Sequence, residues 1–292
     1  YANKFTRIPD GGFFVNKLVL STQRKSKKIG INLAGDMLDI RFNKNRGSIT
    51  YSKFLTEFSF FINSILDSDH EIEIIFFPHI FKDFMVINDL FSSINEKHAR
   101  ERVQVSNYGY GNNFTLETLK IYRQCEVIIG NRFHSNVCGI ALNVPTIGIL
   151  NYNQIEYLYN ELKLSNYLID VRKQYFSKNL IAMVKKVLIE KKSIQEKQAE
   201  IIKSLNEEMD DFMQNILNQF YKVKGFFVDV INKLSWKKKK INKFKKINWK
   251  SDKELKSLVK IFDEEVIIEI DEHSILIDAN SKQIRSIYKS VD

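Results

Sequence analysis

The sequence is poor in proline, glycine and cysteine. Its 292 residues include 3 prolines, 11 glycines and 2 cysteines, while 44% of them are hydrophobic. This composition argues against a disordered chain and predicts a sizeable buried core. Because Cys125 and Cys138 are too few for a disulfide framework, we expect a cytoplasmic protein in a reducing compartment.

Long apolar runs and targeting patterns are also missing. No run reaches the ~18 residues of a membrane span, and no signal peptide is visible. No Cys/His cluster has metal-ligand spacing, so we predict neither a metal nor a cofactor. The sequence starts at Tyr1 in the middle of a pattern, and we expect residues 1–24 to be a linker or the end of a missing N-terminal half.

Arginine is absent from the most basic stretch of the chain. Twelve lysines and two acids between Lys233 and Lys260 account for the whole net charge of +10. Lysines interleaved with aromatic residues suit an anionic membrane surface, although a solvated basic linker has the same composition. The neutral remainder and the lack of arginine argue against nucleic acid as a partner. The lysines predicted to meet a membrane are Lys237, Lys238, Lys239, Lys240, Lys243, Lys245 and Lys246.

Short apolar runs alternate with segments of helical periodicity over the first 170 residues. The predicted strands are Lys28–Leu33, Glu71–Phe77, Val103–Ser106, Val127–Ile129, Pro145–Leu150 and Tyr167–Ile169. The predicted helices between them are Ser48–Leu66, Phe81–Ile94, Asn113–Arg123, His134–Leu142 and Gln154–Leu162. This alternation predicts an α/β fold of right-handed βαβ units, with a Rossmann-like parallel sheet and helices on both faces.

The remainder of the chain has a different pattern. Phe176 to about Tyr221 is predicted to form one or two long amphipathic helices. We predict a domain over residues 25–222, a basic aromatic linker over 223–250 and a small α+β appendage over 251–292. The appendage is expected to hold helices near Asp252–Phe262 and Ser281–Lys289, and strands at Glu265–Ile270 and Ser274–Ile277.

An arginine and a histidine follow one of the predicted strands, in the segment N-R-F-H. In open α/β sheets, ligands bind at the carboxyl ends of the strands. Arg132 could hold a carboxylate or phosphate bidentately, and His134, in the first turn of a helix, could transfer a proton near neutral pH. The start of a helix also favours an anion. The segment therefore predicts a site for a small anion that needs proton transfer.

Other strand ends supply further candidates. His79 and Asp83 follow the second strand, although His79 after Pro78 also suits a turn cap, and Asp36 also suits a solvated loop. The residues predicted to bind substrate are Asn32, Gly35, Asp36, Arg41, Asn131, Ser135, Asn136, Asn151 and Tyr152. The histidines in charged stretches, predicted to lie at the surface, are His70, His98 and His273.

The order of these segments resembles that of the polysaccharide pyruvyl transferases, from roughly Ile8 to Val171. The matching segments are I-P-D-G-G-F-F at Ile8–Phe14, G-I-N-L-A-G at Gly30–Gly35, F-P-H at Phe77–His79 with Asp83, the strand ending in R-x-H at Ile128–His134, and the N-V-P-T-I-G-I-L strand at Asn143–Leu150. Family members commonly have a lysine shortly after that last strand. This sequence has N-Y-N-Q there instead, with no lysine before Lys163.

The resemblance implies an architecture like that of GT-B enzymes, with two Rossmann-like halves, of which this chain would carry the donor-binding one. It implies transfer from phosphoenolpyruvate to sugar hydroxyls of a bacterial surface polysaccharide or its lipid-linked precursor, giving a pyruvate ketal and phosphate. Arg132 would clamp the donor, His134 would protonate its methylene carbon, and His79 or Asp83 would act as the base. The glycan acceptor suggests a position at the inner face of the membrane.

Two alternatives remain at this point. The same fold could transfer sugar from a nucleotide sugar, although no acidic ribose clamp is evident. The missing lysine and the start in mid-pattern also suit a non-catalytic glycan-binding homologue.

Overall fold

The computed structural model describes residues 8–19, 27–43, 49–109, 111–235, 247–251, 255–261, 265–270, 273–278 and 283–289. Two compact units divide the chain, Tyr1–Gln214 and Asn215–Asp292. Among the described residues, no helix combines the length and the apolar character needed to cross a membrane. The boundaries proposed from the sequence at residues 24, 222 and 250 remain predictions.

A six-stranded parallel sheet forms the centre of the first unit. Its strands are β1 (Lys27–Asn32), β2 (Ile72–Phe76), β3 (Val103–Val105), β4 (Cys125–Gly130), β5 (Thr146–Leu150) and β6 (Leu168–Asp170). Their order, β3-β2-β1-β4-β5-β6, is that of the Rossmann fold. The predicted Rossmann-like sheet is therefore confirmed, and its strands lie within a few residues of the predicted positions.

Helices cover both faces of this sheet, as predicted. The helices of the first unit and of its C-terminal continuation are α1 (Leu38–Arg41), α2 (Tyr51–Ser68), α3 (Asp83–Phe91), α4 (Glu96–Glu101), α5 (Asn112–Gln124), α6 (Phe133–Ala141), α7 (Asn153–Glu161), α8 (Phe176–Ile189) and α9 (Lys191–Ser235). Side chains of α2, α3 and α8 pack with Ile29, Ile31 and Ile129 on one face. On the other face, α5 packs with Ile75 and Ile128.

The segment before β1 packs on the second of these faces. Gly11–Lys17 forms a 3-10 helix, and Asp10 caps it by accepting a 2.8 Å hydrogen bond from Gly12 N. Phe13 is buried in a cluster with Val137 and Ile140 of α6. This packing holds Asp10 beside the start of α6.

The second unit contains a five-stranded antiparallel sheet of order β11-β10-β9-β8-β7. Its strands are β7 (Ile247–Ser251), β8 (Leu255–Ile261), β9 (Glu265–Ile270), β10 (His273–Asp278) and β11 (Gln283–Lys289). The helices predicted near Asp252–Phe262 and at Ser281–Lys289 are wrong, because these segments form β8 and β11. Both are seven residues long, and so short a helix is marginal where neighbouring strands offer a hydrogen-bonded ladder.

The surface position predicted for one of the histidines is also wrong. His98 is buried, not at the surface. Its Nε2 lies 2.7 Å from Asp67 Oδ1, and its Nδ1 lies 2.7 Å from Arg102 Nη2. His98 and Arg102 are four residues apart on one helical face, so a charged stretch here brings polar partners together and buries them. His70 is exposed, as predicted.

Candidate functional site

The strand order of the parallel sheet reverses between β1 and β4, and this is where such sheets bind ligands. The residues that end these two strands tie them together. Asn32 accepts a 3.0 Å hydrogen bond from Arg132 N and donates to Phe77 O. Asn131 Oδ1 accepts from Ala34 N at 2.9 Å. Both amides are buried and engaged, so they fix the loops instead of offering free groups to a ligand.

Arg132 is held by two carboxylates. Its Nε lies 2.9 Å from Asp83 Oδ2, and its Nη2 bonds Asp83 Oδ1 and also Asp36 Oδ1 at 2.7 Å. Asp83 therefore forms the bidentate contact with Arg132 that the sequence predicts for a substrate anion. Among the residues that the structure describes, Arg132 Nη1 has no hydrogen-bond partner.

Asp83 is completely buried and accepts three backbone hydrogen bonds in addition to those from Arg132. The donors are Gly35 N at 3.0 Å, His79 N at 2.9 Å and Ile80 N at 3.2 Å. A Cβ on Gly35 would lie 1.9 Å from Lys82 O, so only glycine permits this approach. Asp83 thus orients the loops after β1 and β2, and its oxygens are already occupied.

Arg41, the last residue of α1, supplies a second guanidinium. It is buried, and it donates to Asp36 O at 2.9 Å and to Asn151 Oδ1 at 3.0 Å. Its Nη2 lies 3.6 Å from Asp36 Oδ1, and its guanidinium lies 5.5 Å from the Tyr152 ring centroid. Burial lowers the pKa of Arg41, and Asp36 opposes that effect.

Asp36 bridges the two guanidinium groups. Burial alone would raise the pKa of this carboxyl, but Arg132 and then Arg41 bring it below its ordinary value. Burial lowers the pKa of Arg132, but Asp83 and Asp36 reverse the effect, so its pKa is raised. Asp36 and Arg132 therefore stay ionised at neutral pH.

His134, the second residue of α6, is the open member of the site. Its side chain is 64% exposed, and its Nε2 lies 3.7 Å from Asp10 Oδ2. The ring meets that of Phe133 edge-on, with centroids 5.3 Å apart. Asp10 and Phe133 hold the imidazole at the surface, where a ligand can reach it.

His79 lies opposite, at the end of β2. The ring is partly buried, and Nε2 lies 2.7 Å from the Tyr122 hydroxyl. Burial lowers the pKa of His79 to about 4, so the imidazole is neutral at pH 7. Burial also raises the pKa of Tyr122 well above its ordinary value, so its phenol keeps its proton.

Two further predicted residues stabilise the start of α6. Ser135 Oγ accepts from Arg132 N at 3.2 Å and donates to Arg132 O at 2.7 Å. Asn136 donates to Gly130 O and accepts a 2.7 Å hydrogen bond from the Tyr159 hydroxyl. Both side chains are buried, and their contacts maintain the turn that presents Arg132 and His134.

A cavity of about 430 Å³ joins these groups. Its lining includes Asp36, Arg41, His79, Asn131, Arg132, His134 and Tyr152. We call it the donor cavity, after the ligand that the sequence resemblance predicts for it. The predicted residues thus converge, but Asn32, Ser135 and Asn136 support the wall, and Asn151 reaches the cavity through its contact with Arg41.

Two neighbours of the histidines were not predicted. Asp10 lies more than 120 residues before His134, and Tyr122 lies in the last turn of an amphipathic helix, where it is indistinguishable from a core residue. The lysines predicted to meet a membrane, Lys237 to Lys246, lie outside the described residues.

Comparison with known proteins identifies the family of this chain. The family model "Polysaccharide pyruvyl transferase" matches residues 3–153, just over half of the 292 residues. The fold is that of a Rossmann-like domain, and the chain belongs to the polysaccharide pyruvyl transferase family. A comparison with curated proteins finds no match.

Solved structures show only distant likeness. The O-GlcNAc transferase of Thermobaculum terrenum is 12% identical with a TM-score of 0.41, over 68% of this chain and 36% of that one. For the UDP-forming α,α-trehalose-phosphate synthase of Burkholderia vietnamiensis the values are 12%, 0.42, 68% and 45%. For the C-terminal domain of a Francisella tularensis group 1 glycosyl transferase they are 12%, 0.42, 68% and 92%. The chain thus spans less than half the length of the first two.

Proposed function

We propose that this chain takes part in transfer of a pyruvyl group from phosphoenolpyruvate to two hydroxyls of one sugar in a bacterial surface polysaccharide or its lipid-linked precursor. The observation that carries the proposal is the placement of Arg132 and His134 at the start of α6, on the wall of the donor cavity. Membership of the family supports it.

Phosphoenolpyruvate brings a carboxylate and a phosphate into this cavity. The carboxylate of Asp36 already bridges Arg132 and Arg41, in the way that an anionic group of the donor would. In our proposal the donor takes over part of this bridge and uses Arg132 Nη1 as well. The N-terminal end of α6 adds a favourable field for an anion.

The chemistry needs a proton at the methylene carbon of the donor. In our proposal, His134 gives it, and the neighbouring carbon takes on oxocarbenium character. One sugar hydroxyl adds to that carbon, and a second then displaces phosphate from it. Of the two hydroxyl protons, one replaces the proton taken from His134 and the other leaves with phosphate, so the products are the ketal and inorganic phosphate.

His79 is the better candidate for the group that receives a hydroxyl proton. Asp83 is fully buried and its oxygens are occupied by Arg132 and by backbone N–H groups. His79 lines the cavity and is neutral at pH 7, because burial lowers its pKa to about 4. Asp83 then acts by positioning Arg132.

The test is calorimetric titration with phosphoenolpyruvate, and with UDP-glucose as the ligand of a nucleotide-sugar enzyme. We expect phosphoenolpyruvate alone to bind, and Arg41→Gln to weaken it at least tenfold. Arg41 is the better choice over Arg132, because removing Arg132 would leave Asp83 buried without its cation. Arg100→Gln, at an exposed arginine of α4, is the matched control. Binding of UDP-glucose alone, or of neither ligand, would contradict the proposal.

A lipid-linked acceptor would place the chain at the inner face of the membrane. The lysines between Lys237 and Lys246 supply the charge for such contact, at ~1 kcal/mol for each lysine near anionic headgroups. We expect the chain to float with vesicles containing phosphatidylglycerol at low salt and to sediment free of phosphatidylcholine vesicles. Equal behaviour with both would remove the membrane from the proposal.

A further inference from the structure

A second cavity, of about 230 Å³, adjoins the donor cavity. It lies between the end of β2, the loop after β3 and helix α5, and its lining includes Tyr108, Phe114, Thr118, Leu119 and Tyr122. His79 lines both cavities. Two ligands in these cavities would therefore meet at one imidazole.

The two cavities differ in charge. The donor cavity is lined by Asp36, Arg41 and Arg132, whereas no acidic or basic side chain apart from His79 lines the second cavity among the described residues. Burial raises the pKa of the Cys138 thiol to about 12 and that of Tyr122 well above its usual range, so both groups stay neutral at pH 7. Among the described residues, this cavity offers an anion no cationic partner. An uncharged ligand can bind there without competing with ion pairs.

Aromatic faces and hydroxyls share the wall. Tyr108 and Phe114 line the cavity and are partly exposed. Thr118 Oγ1 donates to Phe114 O at 3.1 Å, so its lone pairs are left to accept a hydrogen bond from a ligand hydroxyl. Apolar ring faces beside hydroxyl acceptors match a sugar ring, which has C–H faces and many O–H donors.

The size is also informative. Small-molecule pockets usually measure roughly 300–1,000 Å³, so 230 Å³ is small. It suits one monosaccharide unit better than a nucleotide or a lipid chain.

We propose that the second cavity is the subsite for the acceptor glycan and binds one uncharged sugar ring beside His79. This inference rests on the proposed function, because it needs an acceptor that meets the donor at His79. The Tyr108-containing loop lies at the same sheet edge as the donor cavity because it follows β3 of the parallel sheet. A sugar bound there would have a hydroxyl next to the imidazole.

The experiment uses methyl glycosides of glucose, galactose and mannose as probes, with binding measured by saturation-transfer NMR. Thr118→Leu fills the cavity with an apolar side chain. Thr56→Leu is the matched control, because Thr56 is an exposed threonine of α2 with the same hydrogen bond to the carbonyl four residues before it. We expect at least one glycoside to bind the unaltered chain, Thr118→Leu to weaken it at least tenfold, and Thr56→Leu to change it less than twofold.

Binding that persists in Thr118→Leu, or no binding by any of the three glycosides, would overturn the subsite. Should Thr118→Leu fail to fold by circular dichroism, Tyr108→Ala replaces it with the same expected loss. Phosphoenolpyruvate titrations of the same proteins separate the two proposals. If Thr118→Leu loses glycoside binding and the unaltered chain does not bind phosphoenolpyruvate, the subsite is retained and the donor is rejected. If the unaltered chain binds phosphoenolpyruvate but glycoside binding is absent or persists in Thr118→Leu, only the subsite is rejected.

Discussion

The floor and the rim of the donor cavity use polar residues in opposite ways. The floor, which we define as Asn32, Asp83, Asn131 and Asn136, is buried and its hydrogen bonds join strands and loops. The rim, His134 and Tyr152, is exposed by 64% and 41%. Arg41 and Arg132 lie between them, with contacts to both. Residues near one site thus divide into those that build it and those free to meet a ligand.

Removing a floor residue should have the largest effect on stability. Asp83→Ala leaves Arg132 without its bidentate partner and frees three backbone N–H groups inside the protein. Breaking a buried ion pair by removing one partner costs about 3–5 kcal/mol. We expect a loss of that size in the free energy of unfolding, measured in urea.

The matched control for that experiment is Asp39→Ala, at an exposed aspartate of α1. Surface changes of this kind usually stay within about 0.5 kcal/mol. Equal effects of the two substitutions would show that the floor is not distinct from the surface.

Removing a rim residue should affect the reaction and leave stability unchanged. If His134 gives the proton, His134→Ala should slow phosphate release from phosphoenolpyruvate by about 100-fold or more, because general acid catalysis contributes on that order. The midpoint of urea unfolding should not move, since the ring is largely exposed. Phosphate release in the presence of a glycan acceptor, followed by a coupled assay, gives the rate.

His70→Ala serves as the control, because His70 is exposed. It lies two residues before the start of β2, at the sheet edge away from the donor cavity. Full activity of His134→Ala would remove the acid role. A loss of stability in His134→Ala would show that His134 supports the structure, as the floor residues do.

His79 is partly buried and lines the cavity, so it tests the boundary between the two groups. Its pKa of about 4 lies below the ordinary 6.5. Between these pH values the unfolded chain binds a proton that the native chain does not. The stability contribution is therefore complete above pH 6.5 and is lost as the pH falls toward 4. At 1.36 kcal/mol per pKa unit, the full loss is roughly 3 kcal/mol.

We expect His79→Gln to lack this loss, so that the unaltered chain is destabilised more than the variant between pH 7 and pH 4. Carboxyls with lowered pKa, such as those of Asp36 and Glu57, also cost stability in acid, but they do so in both proteins. Urea unfolding at several pH values measures the difference. Parallel pH profiles of the two proteins would mean that the native imidazole titrates like a free one.

The sequence was sufficient for the sheet and for the residues that converge at its edge. Strands buried on both faces have apolar runs that differ clearly from amphipathic helices, and the carboxyl ends of parallel strands meet by topology. It was not sufficient for the division between floor and rim. Whether Asp83 faces a ligand or Arg132 depends on contacts across 49 residues, and no local pattern records them.

The prediction of helices in the appendage is wrong for a related reason. Leu255–Ile261 and Gln283–Lys289 have apolar residues that fit helical or strand spacing. The pairing of β8 with β7 and β9, and of β11 with β10, decides between the two. Non-local pairing outweighs weak local preference in segments this short.

Substitution of Tyr152 should have the smallest effect on ligand binding, and it tests how the rim contributes to that binding. Its ring lies 5.5 Å from the Arg41 guanidinium, and a cation–π contact at a partly exposed site contributes about 0.5–1 kcal/mol. Tyr152→Leu should weaken phosphoenolpyruvate binding by roughly two- to fivefold, because Arg41 loses the ring that orients it. Tyr157→Leu, at a more exposed tyrosine of α7, should leave the dissociation constant unchanged. A tenfold loss in Tyr152→Leu would instead indicate that the ring itself contacts the donor, and the rim would then bind substrate as well as orient the arginine.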